Sequence, residues 1–261
     1  MSALEMPPPT SVLEIDNVSK SFGGVRAIAG LTMRVPPGAI TGLIGPNGAG
    51  KSTVVNLITG LLKLTGGRIA VDGKSIGEAP ADEVVRLGIA RTFQNIRLLA
   101  EASVLENVMI GYHRHETGTI LGGLLGLPSV KRETETLKAR GMALLERFQM
   151  QRYAAAPAGG LAYGHQRRVE MMRAVASGPR FLLLDEPVAG MNDVEAAELG
   201  QIFRQLAADG IGLLLIEHNV RFVAKLCADI YVLDSGRLIA SGPPEKVMRD
   251  PAVIAAYLGG G

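Results

Sequence analysis

The sequence predicts an α/β fold of the phosphate-loop class, with a mainly parallel sheet as its core, an antiparallel β subdomain and a helical subdomain. The segment Gly45–Thr53 fits the pattern of a glycine, four residues, then Gly-Lys-Ser. Two apolar runs, Phe181–Pro187 and Leu213–His218, end in charged residues as buried parallel strands do. Between about residues 98 and 176 the pattern changes from strands to helices, which indicates a separate helical subdomain.

Composition limits the class of protein. The 261 residues include 27 Lys and Arg against 25 Asp and Glu, so the formal net charge of +2 is too balanced to indicate a nucleic-acid partner. The single cysteine, Cys227, excludes an intramolecular disulfide and a cysteine-rich metal site, and we expect it to be a buried, reduced thiol. The first ten residues lack a signal-peptide pattern and no apolar run reaches 18 residues, so we expect neither a signal peptide nor a membrane span.

The chain begins with two predicted antiparallel strands. Val12–Val18 and Leu31–Val35 alternate apolar and polar residues. The segment between them is expected to turn at Phe22, Gly23 and Gly24. Spacing alone leaves two equal interpretations of Phe22: an aromatic ring stacked on a nucleotide base, or a core phenylalanine.

The phosphate loop has the context that its chemistry needs. A short apolar strand, Ala39–Ile44, precedes it, and helical spacing of apolar residues follows it. Its glycines let successive backbone N–H groups point at a phosphate, Lys51 is expected to reach the β- and γ-phosphates, and the Ser52 hydroxyl to ligate Mg²⁺. The predicted nucleotide-binding residues here are Gly45, Pro46, Asn47, Gly48, Ala49, Gly50, Lys51, Ser52 and Thr53.

Strands and a short helix are predicted next. Gly66–Gly73 is typical of a strand between turns, and Asp82–Arg86 of a short helix that Gly88 stops. The strand Ile89–Phe93 then leads to Gln94, whose side chain could accept from a metal-bound water or coordinate Mg²⁺ through its oxygen.

The middle of the chain is predicted to be helical. One helix starts at Val104 and another near Lys131, the latter with an apolar stripe. The glycine-rich and apolar segment between them, which includes the insertion Gly118–Pro128, is interpreted as a surface loop that packs on a partner or on its own lobe, with self-packing favoured.

Acidic residues and a histidine follow the two later strands. Asp185 is expected to hold Mg²⁺, directly or through water, and Glu186 to polarise an attacking water. His218 lies beyond a predicted parallel strand, where ligands of open α/β sheets bind, and is a candidate sensor of the γ-phosphate. The chain is predicted to end with a hairpin over Ile230–Gly242 and a helix from about Pro244.

Over almost the whole chain, the sequence resembles the ATP-binding subunit of ABC transporters. The resemblance lies in the order of seven features: Phe22, the phosphate loop, Gln94, Leu161–Arg168, Leu184–Glu186, Ala189–Asn192 and His218. The resemblance implies that Phe22 stacks on the base, that Gln94 belongs to the loop coupling to the membrane subunits, and that Ala189–Asn192 is the D-loop. It also implies a signature segment that completes the ATP site of a second subunit: Leu161, Ala162, Tyr163, Gly164, His165 and Gln166. Two residues depart from the family pattern, because Ala162 replaces the usual Ser and Asn192 the usual Asp.

Within that family, the insertion, the Tyr163-Gly164 pair and the ending Ala256–Gly259 resemble the LivG-type subunit of branched-chain amino acid importers of bacteria. The resemblance implies one ABC ATPase domain over residues 1–261, with a β and phosphate-loop core at 11–97 and 177–261 and a helical subdomain at about 98–176. It also implies ATP and Mg²⁺ as cofactors, and a peripheral position on the cytoplasmic face of the inner membrane. The implied partners are a second ATPase subunit, LivF-like or an identical copy, two membrane-spanning permease subunits, and a periplasmic or lipid-anchored substrate-binding protein.

Two other functions remain alternatives. The ATPase of lipopolysaccharide export ends similarly but lacks the insertion. A non-transport ABC ATPase of DNA repair or translation would need a second cassette or a coiled-coil insertion, and the sequence has neither.

Overall fold

A computed structural model of the chain describes residues 12–92, 96–112 and 128–258. The strands are β1 (Leu13–Phe22), β2 (Val25–Val35), β3 (Ile40–Ile44), β4 (Gly66–Val71), β5 (Lys74–Ser75), β6 (Ile89–Arg91), β7 (Phe181–Asp185), β8 (Gly212–Ile216), β9 (Asp229–Asp234) and β10 (Arg237–Gly242). The α-helices are α1 (Lys51–Ile58), α2 (Ala81–Arg86), α3 (Val104–Ile110), α4 (Pro128–Arg147), α5 (Tyr163–Ala176), α6 (Asp193–Ala208), α7 (Val220–Leu226), α8 (Pro244–Val247) and α9 (Pro251–Leu258).

The core of the molecule is a six-stranded sheet in the order β10-β9-β3-β8-β7-β6. All neighbours in it are parallel except β9 and β10, which form an antiparallel hairpin at one edge. Every residue of β3, β7 and β8 is buried, because these strands are short apolar runs covered on both faces. The predicted parallel core is confirmed, and the carboxyl ends of its strands meet along one edge of the sheet.

Successive side chains of the central strands enter two different hydrophobic cores. On β7, Leu182 and Leu184 join the core that continues into the helical region, whereas Phe181 and Leu183 join the core shared with the antiparallel sheet. The alternation follows from the two-residue period of a strand.

The antiparallel sheet has the order β2-β1-β4-β5 and confirms the first two predicted strands. Phe22 is the last residue of β1 rather than part of the turn, which Gly23 and Gly24 form with positive φ. A hydrogen bond of 2.8 Å from the Ala29 amide to the Gly236 carbonyl ties this sheet to the β9–β10 turn.

The helical region packs α3, α4 and α5 against one another. Helix α3 begins with a capping box formed by Ser103 and Glu106. Helix α4 begins at Pro128, three residues before the predicted start near Lys131, and its apolar stripe is buried as predicted. The predicted surface loop lies outside the described residues, apart from Pro128.

The C-terminal hairpin is confirmed, but the single helix predicted after it is two helices, α8 and α9. Pro251 cannot donate to the preceding turn, and the Asp250 carboxylate accepts from the Ala252 amide at 2.8 Å, so a new helix begins there. Cys227 lies buried at the end of α7, and burial raises the pKa of its thiol to about 12. Within the described ranges, no helix has the length and apolar character that crossing a membrane requires.

Candidate active site

The phosphate loop connects β3 to α1 and depends on glycine at specific positions. Gly45, Gly48 and Gly50 have φ of 151°, 80° and 104°. A Cβ at Gly45 would also lie 2.1 Å from the Leu233 carbonyl oxygen, so no larger residue fits there. Free amides of such a loop at the start of a helix form a site for a phosphate anion.

Lys51 is anchored inside this loop. Its ammonium donates to the carbonyls of Gly45 and Pro46, at 2.7 and 2.9 Å. Burial lowers the pKa of Lys51, and the carboxylates of Glu186 and Asp185 act in the opposite direction. The cation is therefore held inside the loop, where it can contact a bound phosphate.

Asp185 ends β7 and is held by the neighbouring strand β6. Its Oδ2 lies 3.0 Å from Arg91 Nη2, both side chains being almost buried, and Arg91 Nη1 donates to Asn56 Oδ1 at 2.6 Å. The Asp185 amide donates to Thr92 Oγ1 at 3.3 Å. The sequence prediction did not single out Arg91, although an arginine within a short apolar strand is the signal that could have identified it. Gln94, two residues after Thr92, lies outside the described residues.

Arg167, on α5, connects the signature helix to the end of β7. Its side chain is buried, and its Nη1 pairs with the equally buried Glu170 at 2.7 Å. Its Nη2 donates to the carbonyl oxygens of Asp185 and Glu186. Arg167 therefore holds the backbone of Asp185 and Glu186 in place. The sequence had predicted a functional role only for the signature segment of this helix, not for Arg167.

Glu186 occupies a backbone conformation that few residues other than glycine adopt. Its φ is 47°, and its amide donates to the Ile216 carbonyl at 2.9 Å. Such conformations cost about 1–3 kcal/mol and concentrate at functional sites. Its Oε1 lies 3.7 Å from Nδ1 of His218, whose side chain is mostly exposed. The side chain predicted to polarise water and the predicted γ-phosphate sensor are therefore neighbours.

Both side chains open into a cavity of 480 Å³ at the phosphate loop. The residues lining this cavity are Gly45, Pro46, Asn47, Glu186, His218 and Tyr257. Tyr257, from the C-terminal helix, was not predicted as a site residue.

Glu217 is a second buried group that the sequence prediction did not assign to the site. Its carboxylate, fully buried, accepts from the amides of Val188 and His218 at 3.1 and 3.2 Å. Burial raises the pKa of Glu217, and these amides oppose the shift. Glu217 thus fixes the loop after β7 relative to the loop after β8, and with it the spacing of Glu186 and His218.

The first half of the signature segment faces outward. Ala162 precedes the first turn of α5 and Tyr163 is 50% exposed. A side chain added at Gly164 would first meet Met191 Cε, 3.9 Å away, so the space beside it is open. These residues form an accessible helix N-terminus.

The second half of the segment faces inward. His165 Nε2 lies 3.1 Å from Tyr153 Oη, and burial together with Arg168 lowers the pKa of His165. Gln166 Nε2 donates to the Leu161 carbonyl at 2.9 Å. These two side chains therefore shape the segment through contacts within the chain.

Asn192, one of the two departures from the family pattern, caps α6. Its Oδ1 accepts from the amides of Val194 and Glu195, both at 3.0 Å, and the Glu195 carboxylate accepts from its amide at 3.1 Å. Asparagine and aspartate cap helices about equally well, which explains how the substitution keeps this loop intact.

Phe22 lies apart from both hydrophobic cores. It is 46% exposed, and Lys20 Nζ lies 4.9 Å from the centre of its ring. Of the two interpretations of this residue, a core phenylalanine is excluded.

The site fits a nucleotide with Mg²⁺. The Ser52 hydroxyl, which is exposed, and the Asp185 carboxylate provide oxygen ligands, which Mg²⁺ prefers. Across the described part of the chain, no three His, Cys, Asp or Glu side chains gather into a metal cage. Mg²⁺ commonly takes one or two protein ligands and completes its shell with phosphate oxygens and water.

Comparisons with known proteins place the same features in a family context. Residues 28–189 match the family described as "ABC transporter", and residues 237–261 match "Branched-chain amino acid ATP-binding cassette transporter". The chain is 39% identical to the high-affinity branched-chain amino acid transport ATP-binding protein BraF of Pseudomonas aeruginosa, covering 95% of this chain and 98% of that protein. It is 38% identical to the corresponding LivG protein of Escherichia coli over the same shares. A solved ATP-binding cassette of an ABC transporter in its ADP conformation superposes with a TM-score of 0.83 at 34% identity, covering 96% of this chain and 99% of that one.

Proposed function

Because this chain belongs to the ABC transporter family and is an ATP-hydrolysing subunit of it, we propose that it powers the import of branched-chain amino acids or related small molecules. One observation carries the ATPase part: Lys51, Asp185, Glu186 and His218 converge at the carboxyl edge of the parallel sheet, around the phosphate loop. The C-terminal match at residues 237–261 supports the choice of cargo class.

The site residues have separate roles in this proposal. The loop amides and Lys51 bind the phosphates, and Ser52 and Asp185 hold Mg²⁺, which neutralises phosphate charge when bound. Glu186 orients the attacking water and accepts its proton. His218, whose Nδ1 lies 3.7 Å from Glu186 Oε1, contacts the terminal phosphate. Phe22 stacks on the base, and Gln94 couples the site to the membrane subunits.

The exposed start of the signature helix implies a site shared between two chains. Ala162, Tyr163 and Gly164 present free helix-terminal amides outward, a suitable environment for a phosphate held by another subunit. We propose that this partner is a LivF-like ATPase subunit, with an identical copy as the alternative. The chain would then be largely monomeric without ATP and have low ATPase activity alone.

Further partners are proposed from the transporter family to which the chain belongs. A transporter of this family includes membrane permease subunits. We propose two of them, with a periplasmic or lipid-anchored binding protein that delivers the substrate, and this chain bound peripherally at the cytoplasmic face of the inner membrane. Within the chain, we propose that residues 11–97 and 177–261 form the core of one domain and about 98–176 its helical subdomain.

Reconstitution tests the proposal. Proteoliposomes that contain this chain, a LivF-like subunit and two permease subunits, supplied with binding protein, should take up leucine, isoleucine or valine when ATP is present. Glu186→Gln removes the proton acceptor but keeps the size of the side chain, so ATP turnover and uptake should fall by roughly 10²–10⁴ while ATP remains bound.

Glu245→Gln, an equally conservative change at an exposed position in α8, is the matched control and should leave uptake unchanged. Near-normal turnover in Glu186→Gln would assign the base to another residue. Outward movement of a lipid by the complex would favour the export ATPase, and full activity of the isolated chain at high dilution would contradict the shared site.

A further inference from the structure

Glu217 is a buried acidic residue beside the hydrolysis cavity but not on its wall. It directly follows β8, its side chain is fully buried, and it is not among the described residues that line the cavity of 480 Å³. Burying a carboxylate costs free energy unless hydrogen bonds replace those lost to water. The hydrogen bonds of Glu217 therefore show which parts of the molecule this carboxylate holds.

The two carboxylate oxygens of Glu217 bind amides in different loops. Oε1 accepts from the Val188 amide at 3.1 Å, in the turn that begins at Glu186. Oε2 accepts from the His218 amide at 3.2 Å and lies 3.5 Å from the Asn219 amide. One carboxylate therefore anchors both loops that carry the groups proposed to act on the terminal phosphate.

The turn after β7 links the Glu217 contact to the position of Glu186. The Ala189 amide donates to the Glu186 carbonyl at 3.2 Å, which closes the turn around Val188. The Glu186 amide donates at 2.9 Å to the carbonyl of Ile216, the residue before Glu217. A displacement of Val188 would therefore move the backbone of Glu186, which already adopts a restricted conformation with φ of 47°.

The loop after β8 is fixed in a similar way. Asn219 Oδ1 accepts from the Phe222 amide at 3.1 Å and caps α7, so this loop is anchored at both ends. The His218 ring lies near both acids, because its Nδ1 is 3.9 Å from Glu217 Oε2 and 3.7 Å from Glu186 Oε1. A change in the Glu217 carboxylate would therefore alter both the backbone of His218 and the charge beside its ring.

We propose that Glu217 is a positioning residue for ATP hydrolysis, which aligns Glu186 with His218 without contacting the nucleotide. The inference rests on the proposed function, because it assumes that this pair acts on ATP. It requires both carboxylate oxygens, since each accepts from a different loop. Loss of one of them should therefore slow turnover, whereas ATP binding, which depends on the phosphate loop, should be retained.

Glu217→Gln in the assembled transporter tests the proposal. The change keeps the size of the side chain but replaces one accepting oxygen by an NH₂ group, which cannot accept from an amide. Turnover should fall by about 10-fold or more, the loss expected for a hydrogen bond to a charged group. The dissociation constant for ATP should change by about twofold or less. Glu245→Gln, equally conservative and exposed, is the matched control and should alter neither quantity.

A double variant separates positioning from general destabilisation. His218→Ala already removes one member of the aligned pair, so adding Glu217→Gln to it should lower turnover by only about twofold or less. Losses that multiply would overturn the inference, because independent sites contribute additively to the free energy. Equal losses of turnover and ATP affinity in Glu217→Gln would also overturn it, as would normal values of both.

Glu217→Asp provides the same test if Glu217→Gln does not fold. It keeps the charge but is one methylene shorter, so one of the two loop contacts is lost, and turnover should again fall more than ATP affinity. The inference and the proposed function can fail separately. Normal turnover of Glu186→Gln would reject the proposed catalytic pair itself, whereas multiplying losses alongside a slow Glu186→Gln would reject only the role of Glu217.

Discussion

The phosphate-loop region and the signature region of this chain differ in how their functional groups are partnered. In the first, Lys51 bonds to loop carbonyls and Asp185 pairs with Arg91, so the charged groups have partners within the chain. In the second, Ala162, Tyr163 and Gly164 face outward at the start of a helix. The phosphate-loop region is therefore a preorganised binding site within a single chain. The signature region, in contrast, has the form of half a site that a ligand on another subunit would complete.

A buried arginine joins the two regions. Arg167 lies on the signature helix, one turn after Gly164, and its guanidinium contacts the carbonyls of Asp185 and Glu186. A shift of the signature helix therefore displaces the backbone that carries both acids. This contact offers a physical route by which a partner bound at the signature could affect the chemistry at the phosphate loop.

The largest expected effect comes from breaking that connection. Arg167→Met breaks the buried ion pair with Glu170 and removes the donor to two carbonyls, so the free energy of unfolding should fall by about 3–5 kcal/mol. Denaturant unfolding measures this loss. Arg86→Met, which removes a mostly exposed pair with Asp82, should cost about 1 kcal/mol or less.

If the two arginine variants lost similar stability, the buried clamp would not hold the regions together. The double variant Arg167→Met with Glu170→Met removes both charges and should recover part of the loss. Failure to recover any of it would assign the effect to the two carbonyl contacts instead.

The next effect concerns the phosphate-loop region alone. Lys51→Ala removes charge-assisted contacts worth roughly 1.5–3 kcal/mol, so MgATP binding should weaken by roughly 10- to 150-fold in an equilibrium titration. Lys63→Ala, at an exposed position paired with Glu78, is the control and should bind MgATP normally. Unchanged affinity in Lys51→Ala would remove the phosphate-loop assignment.

The smallest effect concerns the signature region. Ala162 has the extended backbone of an N-cap residue, with φ −58° and ψ 150°, but lacks a side-chain oxygen to accept from the first turn of α5. Ala162→Ser should therefore raise the free energy of unfolding by about 1 kcal/mol. Ala208→Ser, at the last residue of α6, adds the same hydroxyl where no N-cap exists and should give no gain. Equal stability of the two variants would show that the start of α5 does not need a cap.

Much of the fold followed from the sequence because local patterns specify local structure. The short apolar runs of β3, β7 and β8 predicted a parallel sheet, and glycines with lysine predicted the loop between β3 and α1. The apolar stripe of α4 was also anticipated by its spacing, whereas the start of the helix at Pro128 was not. Helix boundaries depend on caps and turns of a few atoms, which hydrophobic periodicity does not encode.

What the tertiary structure alone decided are contacts between residues far apart in the chain. Arg91 meets Asp185 across 94 positions and Arg167 reaches the same residue across 18, and neither pairing is visible in any local pattern. From the sequence alone, Glu217 could equally have been a solvated surface charge. Tyr257 could equally have been an ordinary core residue of the last helix. The sequence by itself determined which chemical groups the chain contains and which strands carry them. Only folding determined which of those groups are desolvated together, because burial and the pairing of charges arise when distant segments pack against one another.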